Sequence, residues 1–135
     1  MTATMPPTMT ELFGEVIYSY PRAQAIEDGV LVDLSSIAPD VCRQHYKYPI
    51  ACTASVWAII EKARKNPRYM NDVNGIVHDL LWMSKVHARQ ETESTRLFQV
   101  IIKGAGRRST FTFKMVCGPG DDAEPVLTVM FPEED

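Results

Sequence analysis

Cysteine is scarce in this chain and unpaired: Cys42, Cys52 and Cys117 make an odd count with no C-x-x-C spacing. That excludes a disulfide framework and suits a reducing compartment. The one arrangement with metal-ligand character is Cys42-Arg-Gln-His45 with Cys52 beyond it. Zinc takes a tetrahedral set of such ligands and no fourth stands nearby, so the cysteines read as small apolar residues and no metal is expected. Long apolar runs are missing too. Val56-Trp57-Ala58-Ile59-Ile60 is typical of the longest, against roughly 18–20 residues for a membrane span. Residues 1–10 lack the basic and apolar regions of a secretory signal, so a cytoplasmic protein is expected. Seven Gly and nine Pro are too few for a collagenous or low-complexity chain, and no repeat of solenoid period is visible.

Catalytic signatures are equally lacking: there is no G-x-S-x-G, H-E-x-x-H, Walker loop or zinc-finger spacing. Lys103-Gly-Ala-Gly does not serve as a dinucleotide fingerprint, because its glycines fall between two expected strands rather than between a strand and a helix. His78-Asp79 are adjacent on an expected helix, where neighbouring side chains diverge by about 100°, which disfavours an acid–base pair. No catalytic residue is assigned and no cofactor is expected.

What is present supports one globular domain: 45% of the residues are apolar and 23% charged over 135 residues. The net charge of −3 conceals a segregation. Residues 61–120 hold eleven bases against five acids, whereas residues 121–135 hold six acids and no base. A basic middle can contact phosphate and an acidic end can compete for it, although a solvated helix face beside a frayed end explains the same pattern.

Residues 1–9 offer too little burial to offset ordering and are expected to stay loose. Glu15 to Ser19 reads as a strand, Pro21 to Asp28 as a helix stopped by Gly29, and Val30 to Leu34 as a second strand. Ser35-Ser36 can cap a turn or helix leading to Tyr46. Thr53 is the expected N-cap of a helix from Ala54 to Lys65, with Val56, Trp57, Ile60 and Ala63 on its inner face. Lys62, Arg64 and Lys65 suit the negative end of that helix dipole. A longer helix is expected from Asn71 or Asp72 to about Arg89, with Val73, Ile76, Val77, Leu80, Leu81, Ser84 and Ala88 facing the core. Beyond it the pattern turns to strands at Leu97–Ile102, Thr110–Val116 and Val126–Phe131, where Phe111, Phe113 and Met115 share a face. The expectation is a single α+β domain over residues 10–135. A C-terminal three-stranded antiparallel meander packs against the two main helices, and an N-terminal strand–helix–strand unit precedes them.

Three surfaces are candidates. On the outer side of the long helix, 100° steps bring His78, Trp82, Lys85 and Arg89 together. Either a second layer covers Trp82, or it is an aromatic anchor ringed by cations, the composition of a binding hot spot. Lys103, Arg107 and Arg108 on a glycine-containing hairpin loop, with Lys114 on the adjoining strand, could contact phosphates, or could serve only to discourage edge pairing. Arg22, Gln24, Glu27 and Asp33 cluster in sequence near the N-terminal unit, where a deep pocket would be needed to make them a site.

Glu11-Leu-Phe-Gly-Glu-Val-Ile-Tyr18 with Arg22-Ala-Gln-Ala-Ile-Glu-Asp-Gly-Val-Leu-Val-Asp33 resembles a family of small uncharacterised proteins encoded by bacterial phages, plasmids and integrative elements. Pro49-Ile-Ala-Cys-Thr53 before Trp57, Leu80-Leu-Trp-Met83, Gly118-Pro-Gly-Asp121 with Glu124-Pro-Val126, and Phe131-Pro-Glu-Glu-Asp135 are similar to its pattern in the same order. Pro21 stands where that pattern has Thr, which changes how the following helix is capped. The resemblance implies an accessory protein of a mobile genetic element that binds a host or element-encoded protein, host defence machinery included. That makes two expectations: an interaction protein, or a nucleic-acid-binding module using the basic hairpin loop.

Overall fold

Proline at position 21 fixes where the first helix begins, because its ring sets φ and removes an amide the helix could not use. The computed structural model describes residues 20–134, so the strand expected over Glu15–Ser19 and the loose residues 1–9 lie outside the described residues. Helix α1 (Arg22–Glu27) follows Pro21 at its N-cap. Gly29, at φ +81°, turns the chain into strand β1 (Leu31–Asp33). Asp33, rather than Ser35 or Ser36, caps what comes next: it accepts the amide of Ser36 at 3.3 Å and starts α2 (Leu34–Ile37). Pro39 opens α3 (Pro39–His45).

Strand β2 (Ile50–Thr53) is buried along its whole length. The sequence offers no alternation there because the strand lies inside the sheet and is covered on both sides. Helix α4 (Ala54–Lys65) presents Val56, Ile60 and Ala63 to the core. Helix α5 (Val73–Val86) presents Ile76, Val77, Leu80, Leu81 and Ser84, and Asp72 caps it by accepting the Gly75 amide at 2.6 Å. The expected extension to Arg89 does not occur. The helix ends at Val86, and Arg89 begins β3 (Arg89–Gln90). β4 (Thr95–Ile101), β5 (Thr110–Pro119) and β6 (Pro125–Met130) complete the chain.

The fold is α+β, built on one mixed six-stranded sheet in the order β1-β2-β6-β5-β4-β3. β4, β5 and β6 are antiparallel neighbours, β2 joins β6 in parallel, and β1 joins β2 antiparallel. The sheet is therefore twice as wide as the three C-terminal strands alone. The inward residues of α4 and α5 share one apolar cluster with Phe98, Val100, Phe111, Phe113, Met115 and Val129. Phe113 sits at its centre, fully buried, against Phe98, Phe111 and Phe131 at ring distances of 6.1, 6.0 and 5.2 Å. No helix among the described residues is long and apolar enough to cross a membrane.

Candidate interaction surface

Helix α5 is amphipathic, so positions 78, 82 and 85 fall on the side away from the sheet. The end of α3 is anchored to the buried flank of the same helix, where Tyr46 Oη lies 2.8 Å from Ser84 Oγ, whose hydroxyl donates to Leu81 O at 2.6 Å. The anchored α3 delivers His45 to the patch. The His45 and His78 rings are 5.0 Å apart edge to face, and His78 stacks on Trp82 at 6.3 Å with planes only 7° apart. His45 closes the triangle 6.4 Å from Trp82, and Lys85 Nζ stands 5.9 Å from the indole centroid. Trp82 remains 47% exposed, so no second layer among the described residues covers it.

Both ring nitrogens of His45 are shielded from water and have no hydrogen-bond partner among the described residues. Burial, then the charges of Lys85 and His78, lower its pKa from the usual 6.5. The imidazole is accordingly neutral near pH 7, and the patch reads as an aromatic surface with one ammonium at its rim. His78 Nδ1 comes within 3.5 Å of Asp79 Oδ1 despite the helical divergence. The pair is exposed and longer than the roughly 2.6–3.2 Å that general-base chemistry needs.

Arg89 does not belong to this patch, since it lies on β3 and bonds Glu91 at 2.7 Å. His45 takes its place. In the sequence His45 stood out only as a companion of Cys42 and Cys52, which the fold employs elsewhere: Cys42 donates to Leu34 O at 3.4 Å, and burial followed by the Glu134 charge pushes the Cys52 thiol up to about 12. No group of three or more His, Cys, Asp or Glu among the described residues is placed to hold a metal ion.

The hairpin loop between β4 and β5 brings Lys103, Arg107 and Arg108 to the C-terminal end of α4. Asn66 Nδ2 donates to Gly104 O at 3.1 Å and Asn71 Nδ2 to Lys103 O at 2.7 Å. Lys62 Nζ lies beside Gly106, so the helix end and the loop form one basic corner. Arg108 stacks over Phe111 at 5.3 Å. Lys114 is separate, four residues along β5 and opposite Leu97 and Met130. Among the described residues the acidic end does not mask the corner. Glu134 folds back to the other end of α4, accepting from Thr53 Oγ1 and Ser55 Oγ at 2.9 Å each and from Phe131 N at 2.7 Å.

The N-terminal polar cluster disperses. Arg22 donates to Thr128 Oγ1 at 2.9 Å and to Leu127 O at 2.8 Å, Gln24 donates to Asp28, Asp33 caps α2, and Glu27 faces solvent. A hollow of about 600 Å³ borders Arg22, but Gln24, Glu27 and Asp33 do not line it.

Residues 9–135 match the model of a family described as a family of unknown function, DUF6573. No curated protein and no solved structure matches the chain.

Proposed function

The chain belongs to the DUF6573 family, and from its surface we propose that it is a non-enzymatic interaction protein that binds another protein through Trp82, His78, His45 and Lys85. One observation carries this reading: a half-exposed tryptophan stands beside two histidine rings and a lysine, on a helix whose opposite face is core. Such an indole offers a large contact area at little entropy cost, the character of an interface anchor. Similarity to small proteins of phages, plasmids and integrative elements supports an accessory role in a mobile genetic element, with a host or element-encoded protein as the partner and the cytoplasm as the place.

A second reading has its own observation. Lys62, Lys103, Arg107 and Arg108 gather at one corner, and none is in an ion pair among the described residues. This supports a nucleic-acid-binding module whose hairpin loop contacts phosphates. Affinity capture from a bacterial lysate, with and without nuclease and at low and high salt, separates the two. The interaction reading expects a nuclease-resistant, salt-tolerant protein partner that Trp82→Ala releases. Nucleic acid lost at high salt and abolished by neutralising Lys103, Arg107 and Arg108 would overturn it in favour of the second.

A further inference from the structure

The sheet stops abruptly beside β4. β3 pairs with β4 only at Arg89 with Leu97 and Gln90 with Arg96, whereas on its other side β4 is paired to β5 from Thr95 to Ile101. The amide of Ile102 donates to Ser109 O at 2.8 Å. Alternate residues of a strand direct their N–H and C=O groups to opposite sides, so Gln99 and Ile101 turn theirs away from β5. Among the described residues no strand pairs with them. Ile101 is 60% exposed, and residues 99–101 carry no charge or proline of the kind that blunts an edge.

Helix α5 runs beside this open stretch and leaves a hollow at each end of it. One, of about 510 Å³, is bordered by Met83, His87, Arg89 and Gln99. The other, of about 330 Å³, is bordered by Gly75, Asp79, Asp72 and Ile101. The hollows differ in charge. Arg89 binds Glu91 through Nε and Nη2, which leaves Nη1 available at the first. At the second, two carboxylates face the single ammonium of Lys103; Asp72 uses Oδ1 to cap α5 and Asp79 Oδ1 lies 3.5 Å from His78, which leaves the Oδ2 atom of each available.

We propose that the open edge of β4 accepts an extended peptide by strand addition, at a site that adjoins the Trp82 patch through His78. The peptide continues the line of β3 and therefore runs antiparallel to β4. Its N-terminal side, carrying a basic residue, lies toward Asp72 and Asp79; its C-terminal side, carrying a carboxylate, lies toward Arg89 and His87. Two of its residues exchange backbone hydrogen bonds with Gln99 and Ile101, and an apolar side chain between them faces Met83. A short peptide fits better than a second copy of the chain. Three residues span only about 10 Å, whereas a stable protein interface buries on the order of 1,200 Å² or more.

The test uses the full chain, labelled with ¹⁵N, and acetyl-Lys-Thr-Val-Thr-Val-Thr-Glu as the probe. Free, the amides of Gln99 and Ile101 should exchange with solvent faster than those of Phe98 and Val100; with the peptide their exchange should slow at least tenfold. Methylating one alternate set of peptide amides should abolish binding while methylating the other leaves it intact. Swapping Lys and Glu should weaken binding, and Ile101→Lys, at an exposed position, should weaken it at least tenfold. Absence of saturable binding, or equal binding by both methylated peptides or by the swapped one, overturns the proposal. So does protection of Gln99 and Ile101 without peptide in a chain of dimeric mass, which would assign the edge to a second copy.

Discussion

The carboxylate of Asp121 accepts the backbone amide of Arg22 at 2.6 Å across ninety-nine residues of sequence, and that of Ala23 at 3.0 Å. The turn between β5 and β6 thus supplies the cap that Pro21 cannot, since Pro21 makes no side-chain cap bond. The first turn of α1 is closed by the far end of the chain.

The Ala23 and Arg22 amides outweigh an opposing desolvation and, with a lesser contribution from the Arg22 charge, hold the Asp121 carboxyl below its usual 3.8. A carboxyl with a depressed folded-state pKa stabilises the fold in full above its unfolded pKa, and that contribution is lost as pH falls through the folded value. Asp121→Asn should therefore unfold at lower urea than the parent at pH 7, with the gap closing as pH drops from about 4 toward 2. A gap that persists unchanged at low pH would show that the ionised carboxylate is not what caps α1.

The α1 unit was legible because Pro21 and Gly29 are local signals, and the inner faces of α4 and α5 were legible because burial on one side writes a helical period into the sequence. The features that escaped depend on distance. β2 lacks alternation because its neighbours cover both faces; Asp121 reads as a turn residue until the fold brings α1 to it. Arg89 fits the helical period of α5 by spacing alone, yet pairing with Leu97 draws it into β3. His45 lies thirty-three residues before His78, and it is the packing of α3 on α5, the Tyr46–Ser84 contact included, that brings them together. Three of the four patch residues therefore follow from 100° steps on α5, and the α3 member only from packing.

His45 gives a second pH dependence with its own window. Burial, Lys85 and His78 hold its folded pKa below 6.5, so the unfolded chain binds the proton more readily. Stability is then complete above about pH 6.5 and declines as the pH falls through 6.5 toward the folded value. His45→Phe should remove this slope between about pH 7 and 5 while leaving the acid limb of Asp121 in place. Thermal melts across that range decide the matter; a parent whose melting temperature is flat there would contradict the buried, neutral assignment of His45.

Glycine positions separate backbone strain from crowding. At Gly104, φ is +99° and an added Cβ would meet Tyr69 at 3.1 Å, Asn66 at 3.3 Å and the Ala63 carbonyl at 3.4 Å. At Gly29, φ is +81° with open space around it. Gly29→Ala should cost about 1–2 kcal/mol from conformation alone, Gly104→Ala more, and Gly118→Ala, with neither constraint, close to nothing. Equal costs at positions 29 and 104, measured by chemical denaturation, would mean that the basic loop is not seated against α4.

Leu80 and Trp82 stand two residues apart on α5 and should behave oppositely. Leu80 is fully buried, so Leu80→Ala should cost about 2–5 kcal/mol through lost burial and a residual cavity. Trp82 keeps 47% of its surface in water and packs on histidine rings rather than on the core. Its truncation should cost about 1 kcal/mol or less, while partner affinity falls by roughly 2 kcal/mol or more, about thirtyfold. The comparison also bears on why the residue is there. If Trp82→Ala destabilised the chain as severely as Leu80→Ala, the indole would be a structural element holding α3 to α5, and the interaction surface would lose its anchor. A stable Trp82→Ala variant that no longer retains a captured protein is the outcome the proposed interaction surface predicts.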